Sequence, residues 1–315
     1  MATLPVSKNV VNWLLFISLS LIWGSSFILI KVGLENELTA FQVASIRIVA
    51  AGIVLLPVAI NSFKKIPRNR VITVFASGTI GSLLPSFLFC MAEEGIDSSL
   101  AGTLNCLTPI FVIITGAIFF KTKTSRHKIT GILIAFTGSI LLLISNGQMQ
   151  ETQHLLHISF VVLATILYGI NVNIISRYLG HVSSLHTAAV ALVLNAIPAL
   201  LVLIYTGYFE LFAGNERSEK VLVATGAASL LGVLGTAIAT IFFYMLVKNA
   251  GGIFASMVTY GIPFVAIGWG VYFGESFGLL QVGCLLIILL GVYWVNKRPG
   301  QVSSVQSSRR MKSVQ

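Results

Sequence analysis

Charge is what this chain has least of. Only 10% of its 315 residues are Asp, Glu, Lys or Arg, against about 25% in an ordinary soluble domain. Such scarcity excludes a soluble enzyme and a disordered chain, both of which need charge for solvation. Cysteine is nearly as rare. Cys90, Cys106 and Cys284 all lie inside apolar runs, and no two are spaced as CxxC. Neither a metal knuckle nor a disulfide framework is supported, and three small buried side chains is the plain reading. Enzyme signatures are missing too: there is no Gly-x-Ser-x-Gly elbow and no His-Glu-x-x-His helix. His127, His154, His157, His181 and His186 stand in loops or at the ends of runs. His154 and His157 are three apart but have no further ligand beside them. Neither a metal nor a cofactor is expected.

What the chain has is apolar length. Hydrophobic residues make up 56%, and the mean hydropathy is +0.92. A helix crossing a hydrocarbon layer of about 30 Å needs about 20 apolar residues. Ten such runs can be read, roughly 12–33, 40–60, 71–91, 98–120, 128–145, 155–178, 185–206, 221–246, 252–273 and 278–296. They are apolar all round and about twice the length of a barrel strand, so the fold class is an all-α integral membrane protein. The first run is too long for a cleaved signal peptide.

A net charge of +10 would suggest nucleic acid for a soluble protein; in a membrane protein it is tested against the positive-inside rule. With the amino terminus in the cytoplasm and sides alternating, the cytoplasmic segments hold Lys8, Lys64, Lys65, Arg68, Arg70, Lys121, Lys123, Arg126, Lys128, Arg177, Lys248, Lys297 and the basic residues after it. All ten acids fall on the opposite side. One helix more or fewer before the middle of the chain would destroy this segregation. The expectation is therefore ten helices, both termini cytoplasmic, a short cytoplasmic segment 1–11, and a disordered basic tail 299–315 that touches anionic headgroups.

The sequence also repeats. In one ungapped register Gly78 falls on Gly232, Gly81 on Gly235, Phe89 on Phe243, Ala101 on Ala255 and Pro109 on Pro263. At a slightly shorter offset Trp23-Gly24 meets Tyr168-Gly169. The halves are 12–150 and 151–298, with five helices each. An odd number sends the second half into the membrane from the other side. The result is an inverted-topology repeat, a common plan for secondary transporters that bind substrate near the midplane and rock between two facings.

These residues carry a resemblance. Leu21-Ile22-Trp23-Gly24-Ser25-Ser26-Phe27, Lys31-Val32-Gly33, Arg47, Ala101-Gly102-Thr103-Leu104 with Pro109, and the echo Leu234-Gly235-Thr236-Ala237, Tyr244, Ala255 through Pro263 and Glu275 resemble the drug/metabolite transporter superfamily in its EamA-like branch. The resemblance spans residues 12–296. It implies two five-helix EamA domains, a central cavity and transport of small metabolites, often outward. It also implies that the fourth, fifth, ninth and tenth helices form packing or dimer surfaces, so a homodimer is among the expected partners. The second half departs at Tyr168-Gly169-Ile170-Asn171, where the first has Trp-Gly-Ser-Ser. The two sides of the cavity are then chemically unequal.

Candidate binding residues are the polar and aromatic side chains at helix depth. Arg47 is the sharpest, about 10 Å from one surface at 1.5 Å per residue. An unpaired guanidinium there costs several kcal/mol. It reads either as a cavity charge for a carboxylate or phosphate or as a side chain snorkelling to headgroups. Trp23, Ser25 and Ser26 lie in the first helix, with Tyr168 and Asn171 in the matching part of the sixth. Asn105 precedes Pro109; Tyr244, Thr259 and Tyr260 precede Pro263. Each polar group is also explicable as glue between helices; together they describe a cavity. Pro109 and Pro263 are candidate hinges. No acid lies in the middle of a run, so strong proton coupling is not expected; Lys31, Glu93, Glu94 and Glu275 are the groups that remain for it.

The sequence thus points to a carrier in the cell's inner membrane, moving an amino acid, nucleobase or amphipathic compound by alternating access, in the direction of export. The alternative is a receptor or regulator that binds a small molecule between the repeats without transporting it.

Overall fold

The computed structural model of the protein describes residues 8–145, 155–212, 219–272 and 278–297. Glu275, His154, the segment 1–7 and the tail 299–315 lie outside them. Among the described residues there are helices and no strands. The α-helices are α1 (Lys8–Glu35), α2 (Ala40–Ser62), α3 (Val71–Gly78), α4 (Leu84–Glu93), α5 (Ser98–Leu104), α6 (Thr108–Phe120), α7 (Arg126–Ser145), α8 (Leu155–Tyr178), α9 (Ser184–Tyr205), α10 (Glu219–Leu230), α11 (Ala239–Ala250), α12 (Gly252–Ser256), α13 (Ile262–Tyr272) and α14 (Leu279–Asn296). Two joints widen into π-helix, Thr79–Leu83 between α3 and α4 and Leu231–Ile238 between α10 and α11. Two tighten into 3-10 helix inside apolar runs, Asn105–Leu107 between α5 and α6 and Met257–Gly261 between α12 and α13; further 3-10 turns lie outside them, at Phe63–Lys65, Arg68–Arg70 and Tyr208–Phe212.

Eight stretches among the described residues are long and apolar enough to cross a membrane: Lys8–Glu35, Ala40–Lys65, Arg68–Glu93, Leu100–Phe120, Leu155–Tyr178, Ser184–Tyr205, Glu219–Ala250 and Leu279–Asn296. The expected fifth and ninth crossings are not among them. α7 spends its first turn on Arg126, His127 and Lys128, and the ninth run appears as the shorter apolar helix Gly252–Val265.

The distribution of side chains inverts that of a soluble protein. Ile53, Ile60, Ile118, Leu201 and Leu290 are more than half exposed, whereas Ser45, Ser77, Thr165, Thr187 and Asn195 are fully buried. In water the exposed set would be costly; against lipid tails it is not, and the helices must then be joined by close packing and polar contacts. Small residues supply the first. Gly131 and Gly138 of α7 pass so close to α14 that a Cβ on either would lie within about 3 Å of backbone atoms at Val295 or Ile288, and one on Gly291 would lie 2.6 Å from the Gly131 carbonyl oxygen. The order of these contacts makes α7 and α14 antiparallel. α2 and α9 pack along each other in the same close manner, with Gly52 against Ala196.

Polar contacts tie the two ends. At one end Arg177 Nη1 donates to the Phe120 carbonyl at 2.9 Å, the Arg70 guanidinium lies 5.8 Å above the Tyr178 ring, and His127 Nε2 is 3.0 Å from the Lys297 carbonyl. At the other, Thr39 and Gln42 close a capping box at the start of α2, Glu94 Oε1 accepts from the Ala40 N–H at 3.2 Å, and Lys220 pairs with Glu37 at 4.0 Å. The cap satisfies N–H groups that a helix end leaves without intrahelical partners.

Candidate functional site

A central cavity of about 70 Å3 opens between the helices, room for roughly five waters. α1 contributes Trp23, Ser26, Phe27 and Ile30, and α2 contributes Arg47. The first π joint and α4 bring Gly81, Ser82, Ser86 and Phe89; the first 3-10 joint and the start of α6 bring Asn105 and Thr108. α8 adds Tyr168 and Asn171. The second π joint and α11 add Gly235, Thr236, Thr240, Phe243 and Tyr244, and α12 with the second 3-10 joint adds Ser256 and Thr259. All four of the joints named above, two π and two 3-10, reach this space. A π turn leaves a carbonyl out of step with the i→i+4 ladder, and the cavity uses one of them: Trp23 Nε1 donates to the Gly235 carbonyl at 3.0 Å.

Arg47 is 8% exposed and is the one charged side chain among the described residues that line the cavity. Its Nε donates to Thr236 Oγ1 at 2.6 Å. The ion pairs among the described residues are Lys31–Glu35 and Lys220–Glu37, and neither involves it. A guanidinium has five donors in a fixed fork, so the Thr236 contact orients the group without neutralising it. Across the cavity Ser77 Oγ donates to Asn171 Oδ1 at 2.6 Å and lies 3.1 Å from Tyr244 OH. Because a serine has one hydroxyl proton, Tyr244 donates to Ser77 in this chain. Asn105 Oδ1 accepts from Thr108 Oγ1 at 3.0 Å, and Thr259 Oγ1 donates to the Ser256 carbonyl at 3.0 Å. Aromatic rings line it in two groups: Trp23 lies 5.2 Å from Phe243, and Phe89 stacks on Tyr168 at 6.1 Å.

The structure therefore gathers Trp23, Ser26, Arg47, Asn105, Tyr168, Asn171, Tyr244 and Thr259 of the sequence candidates around one space. Ser25 and Tyr260 are elsewhere. Ser25 Oγ accepts from Trp269 Nε1 at 2.9 Å, and Tyr260, 1% exposed, donates through its hydroxyl to the Ile132 carbonyl at 3.0 Å. Each is the sequence neighbour of a lining residue, turned about 100° away by the helix. Pro109 and Pro263 sit in the first turn of α6 and α13, directly after the 3-10 joints. There a proline lacks a donor that has no partner in any case, so the break in the helix is the 3-10 joint before it.

The fourth and ninth runs, expected to be packing surfaces, do line the cavity through these joints; α7 and α14 do not. Ser82, Ser86, Thr240 and Ser256 escaped the sequence reading because single hydroxyls in an apolar helix carry no sign of which way they face. Thr236 was visible in the Leu234-Gly235-Thr236-Ala237 echo.

Lys31, Glu93 and Glu94 lie around a second opening of about 320 Å3, together with Glu35 and Asp97. Lys31 pairs with the exposed Glu35 at 3.8 Å. Glu93 Oε2 accepts from Ser98 Oγ at 2.5 Å, while Oε1 is buried with no hydrogen bond among the described residues. Glu94 caps α2. Neither Glu93 nor Glu94 forms an ion pair with Lys31 or Arg47 among the described residues. No group of His, Cys, Asp or Glu among them is arranged to hold a metal ion.

Apolar helices that cross a membrane several times, enclosing a polar and aromatic space, define a multi-pass membrane transporter. The profile of the EamA-like transporter family matches residues 12–144 and again 155–297, and the chain belongs to that family. An "Uncharacterized transporter" of Archaeoglobus fulgidus is 25% identical over 91% of this chain and 99% of its own length. The "Uncharacterized inner membrane transporter YedA" of Escherichia coli K12 is 22% identical over 92% and 94%. A "Probable terminal-alkyne amino-acid exporter" of Streptantibioticus cattleyicolor is 23% identical over 88% and 90%. One solved crystal structure shares the fold at a TM-score of 0.68 and 14% identity, covering 92% of this chain and 98% of its own.

Proposed function

We propose that the chain exports a small amphipathic metabolite bearing an anionic group across the inner membrane, by alternating access between two inverted five-helix repeats. α7 and the α12–α13 stretch complete ten crossings with the eight apolar spans. The observation that carries the substrate class is Arg47. Among the described residues it is the lone charge lining the cavity; it forms no ion pair, although the Glu93 carboxylate is close enough to interact with it electrostatically, and it is aimed by Thr236. A substrate carboxylate or phosphate supplies the missing countercharge, and the fork admits it in bidentate fashion. The aromatic wall of Trp23, Phe27, Phe89, Tyr168 and Phe243 suits an apolar or flat body, and Asn105 and Asn171 suit polar groups on it. Amino acids and their derivatives fit this description, which agrees with the printed name of one relative.

The repeat reading is supported by contacts that exchange between halves. Gly24 packs on Val265 as Gly169 packs on Phe111; Gly81 meets Asn171 as Gly235 meets Ser26; Gly78 meets Ala191 as Gly232 meets Arg47. Both π joints and both 3-10 joints also fall at positions matched by the repeat. The same matching sets Ala191 opposite Arg47, which is why the cavity has charge on one side.

Counterflow into liposomes containing purified protein tests the proposal, with amino acids, organic acids and their uncharged amides as substrates. Saturable exchange of a carboxylate, lost for its amide and in Arg47→Ala, is the expected result. Saturable binding without exchange would identify a receptor instead, and equal handling of acid and amide would remove Arg47 from the site.

A further inference from the structure

The central cavity and the opening around Glu93 share no lining residue, yet two helices lead from one to the other. On α1, Phe27 and Ile30 line the cavity, and Lys31 and Leu34 line the opening. On α4, Ser86 and Phe89 line the cavity, and Glu93 lines the opening. Spacings of three and four put Ser86, Phe89 and Glu93 on one helix face. Glu93 therefore stands one turn, about 6 Å, beyond the cavity wall. Between the two spaces are Phe27, Ile30 and Phe89, all buried, with the Phe27 and Phe89 rings edge to face at 5.8 Å.

The contacts of Glu93 suit two protonation states. Ionised, its Oε2 accepts from Ser98 Oγ at 2.5 Å, and Ser98 Oγ also lies 3.5 Å from the Phe27 carbonyl. A serine has one proton to give and two lone pairs. Once protonated, Glu93 donates to Ser98 Oγ, and the serine proton turns to the Phe27 carbonyl. The ionised state is the less well supplied. A carboxylate has about four lone-pair sites, and Oε1 is buried with no hydrogen bond among the described residues. Its charge is held instead by two cations at a distance, Arg47 on α2 and Lys31 on α1. Lys31 is exposed and paired with Glu35, so solvent screens it. Arg47 is buried and forms no ion pair among the described residues. Of the other titratable groups nearby, Glu94 and Asp97 are exposed, Cys90 is a buried thiol on the same helix, and the His157 ring of α8 packs against Gly95.

We propose that Glu93 binds a proton each time an anion occupies Arg47 and releases it when the anion leaves, so that one proton accompanies each anion through the protein. This rests on Arg47 being the substrate's partner, as proposed above. While Arg47 is unoccupied, its positive charge holds Glu93 ionised. An anion on Arg47 cancels that charge, and Oε2 of Glu93 takes a proton from solvent in the second opening. One negative and one positive charge then cross together, and transport is electroneutral. The sign of the pH dependence follows. Binding that takes up a proton tightens as pH falls, by at most about tenfold per pH unit.

Infrared titration of the full-length protein in neutral detergent tests it. The protonated carboxyl of Glu93 is read through its C=O stretch, the band that is lost in Glu93→Gln. A neutral side chain at position 47 imitates occupancy without any substrate. In Arg47→Gln the pH at which the band is half formed is expected to rise by about one unit. Should that variant fail to fold, Arg47→Met reads the same quantity. Phenylacetate, a small flat anion, should move the native band in the same direction, and phenylacetamide should not. A band that follows Arg47→Gln but ignores phenylacetate would uphold the link between Glu93 and Arg47 and count against a carboxylate at Arg47. A band unmoved by Arg47→Gln overturns the proposal. So does a phenylacetate affinity that is independent of pH, or one whose pH dependence is the same in Glu93→Gln as in the native chain.

Discussion

Arg47 and Tyr260 show how differently two buried polar side chains act at the scale of one residue. Arg47 spends one donor on Thr236 and leaves a charge for something else to neutralise. Tyr260 spends its hydroxyl on the Ile132 carbonyl and is complete. Arg47→Ala is expected to weaken binding of a carboxylate substrate by about 10- to 100-fold, the worth of about 1.5–3 kcal/mol for a charge-assisted hydrogen bond. Binding of the corresponding amide should change little, and calorimetric titration of both ligands measures the difference. Tyr260→Phe should do the reverse: lower stability by about 1 kcal/mol, seen as a fall in Tm, with affinity unchanged. Asn173, which donates to the Val112 and Gly169 carbonyls and to Thr115 Oγ1, belongs with Tyr260 as a joint between α8 and α6. The sequence showed that polar groups lay at helix depth, but in helices apolar all round it gave no phase. Ser26 and Thr259 face the cavity and their neighbours Ser25 and Tyr260 do not, and a rotation of about 100° per residue cannot be oriented without a polar face to fix it.

Between residue and molecule stand the irregular joints and the glycine contacts. Helix lengths were legible from apolar runs, and the prolines announced the two 3-10 joints approximately. The π joints were not legible. A π turn depends on which carbonyl each N–H chooses, and Thr79–Leu83 and Leu231–Ile238 have ordinary helical composition. Their functional weight is large, because Gly235 and Thr236 hold Trp23 and Arg47 from one such joint. Glycines in the repeat register were legible as a pattern, and the structure supplies the reason: a backbone (at Gly78, Gly169 and Gly232) or a side chain (at Gly24, Gly81 and Gly235) passes where a Cβ would stand. At the α7–α14 contact, Gly291→Leu should force the helices apart and cost about 2 kcal/mol or more, lowering Tm and the yield of folded protein. Gly226→Ala, where an added Cβ meets nothing within 4 Å, should leave both unchanged. If both variants melt alike, close approach of α7 and α14 is not what holds that side of the bundle.

For the whole molecule the decisive property is how charge is sorted between its two ends. Arg70, Arg177 and Lys297 are tied to neighbours at one end, and Glu37, Glu94 and Lys220 at the other. Basic residues are retained on the cytoplasmic side during insertion, so the end with Lys64, Lys65 and Lys128 should face the cytoplasm and the end with Glu37 and Glu94 the opposite compartment. On that expectation the opening around Glu93 and Glu94 faces outward. Cysteines at Glu37 and Lys65, both exposed, test it directly. The native thiols make a quiet background, with Cys90 and Cys106 fully buried and Cys284 3% exposed. In intact cells a membrane-impermeant maleimide should label Glu37→Cys and spare Lys65→Cys; after permeabilisation both should react. Labelling of Lys65→Cys alone in intact cells would invert the molecule. Labelling of both or neither would mean an odd number of crossings between them in error, and with it the count of ten and the antiparallel relation of the two halves.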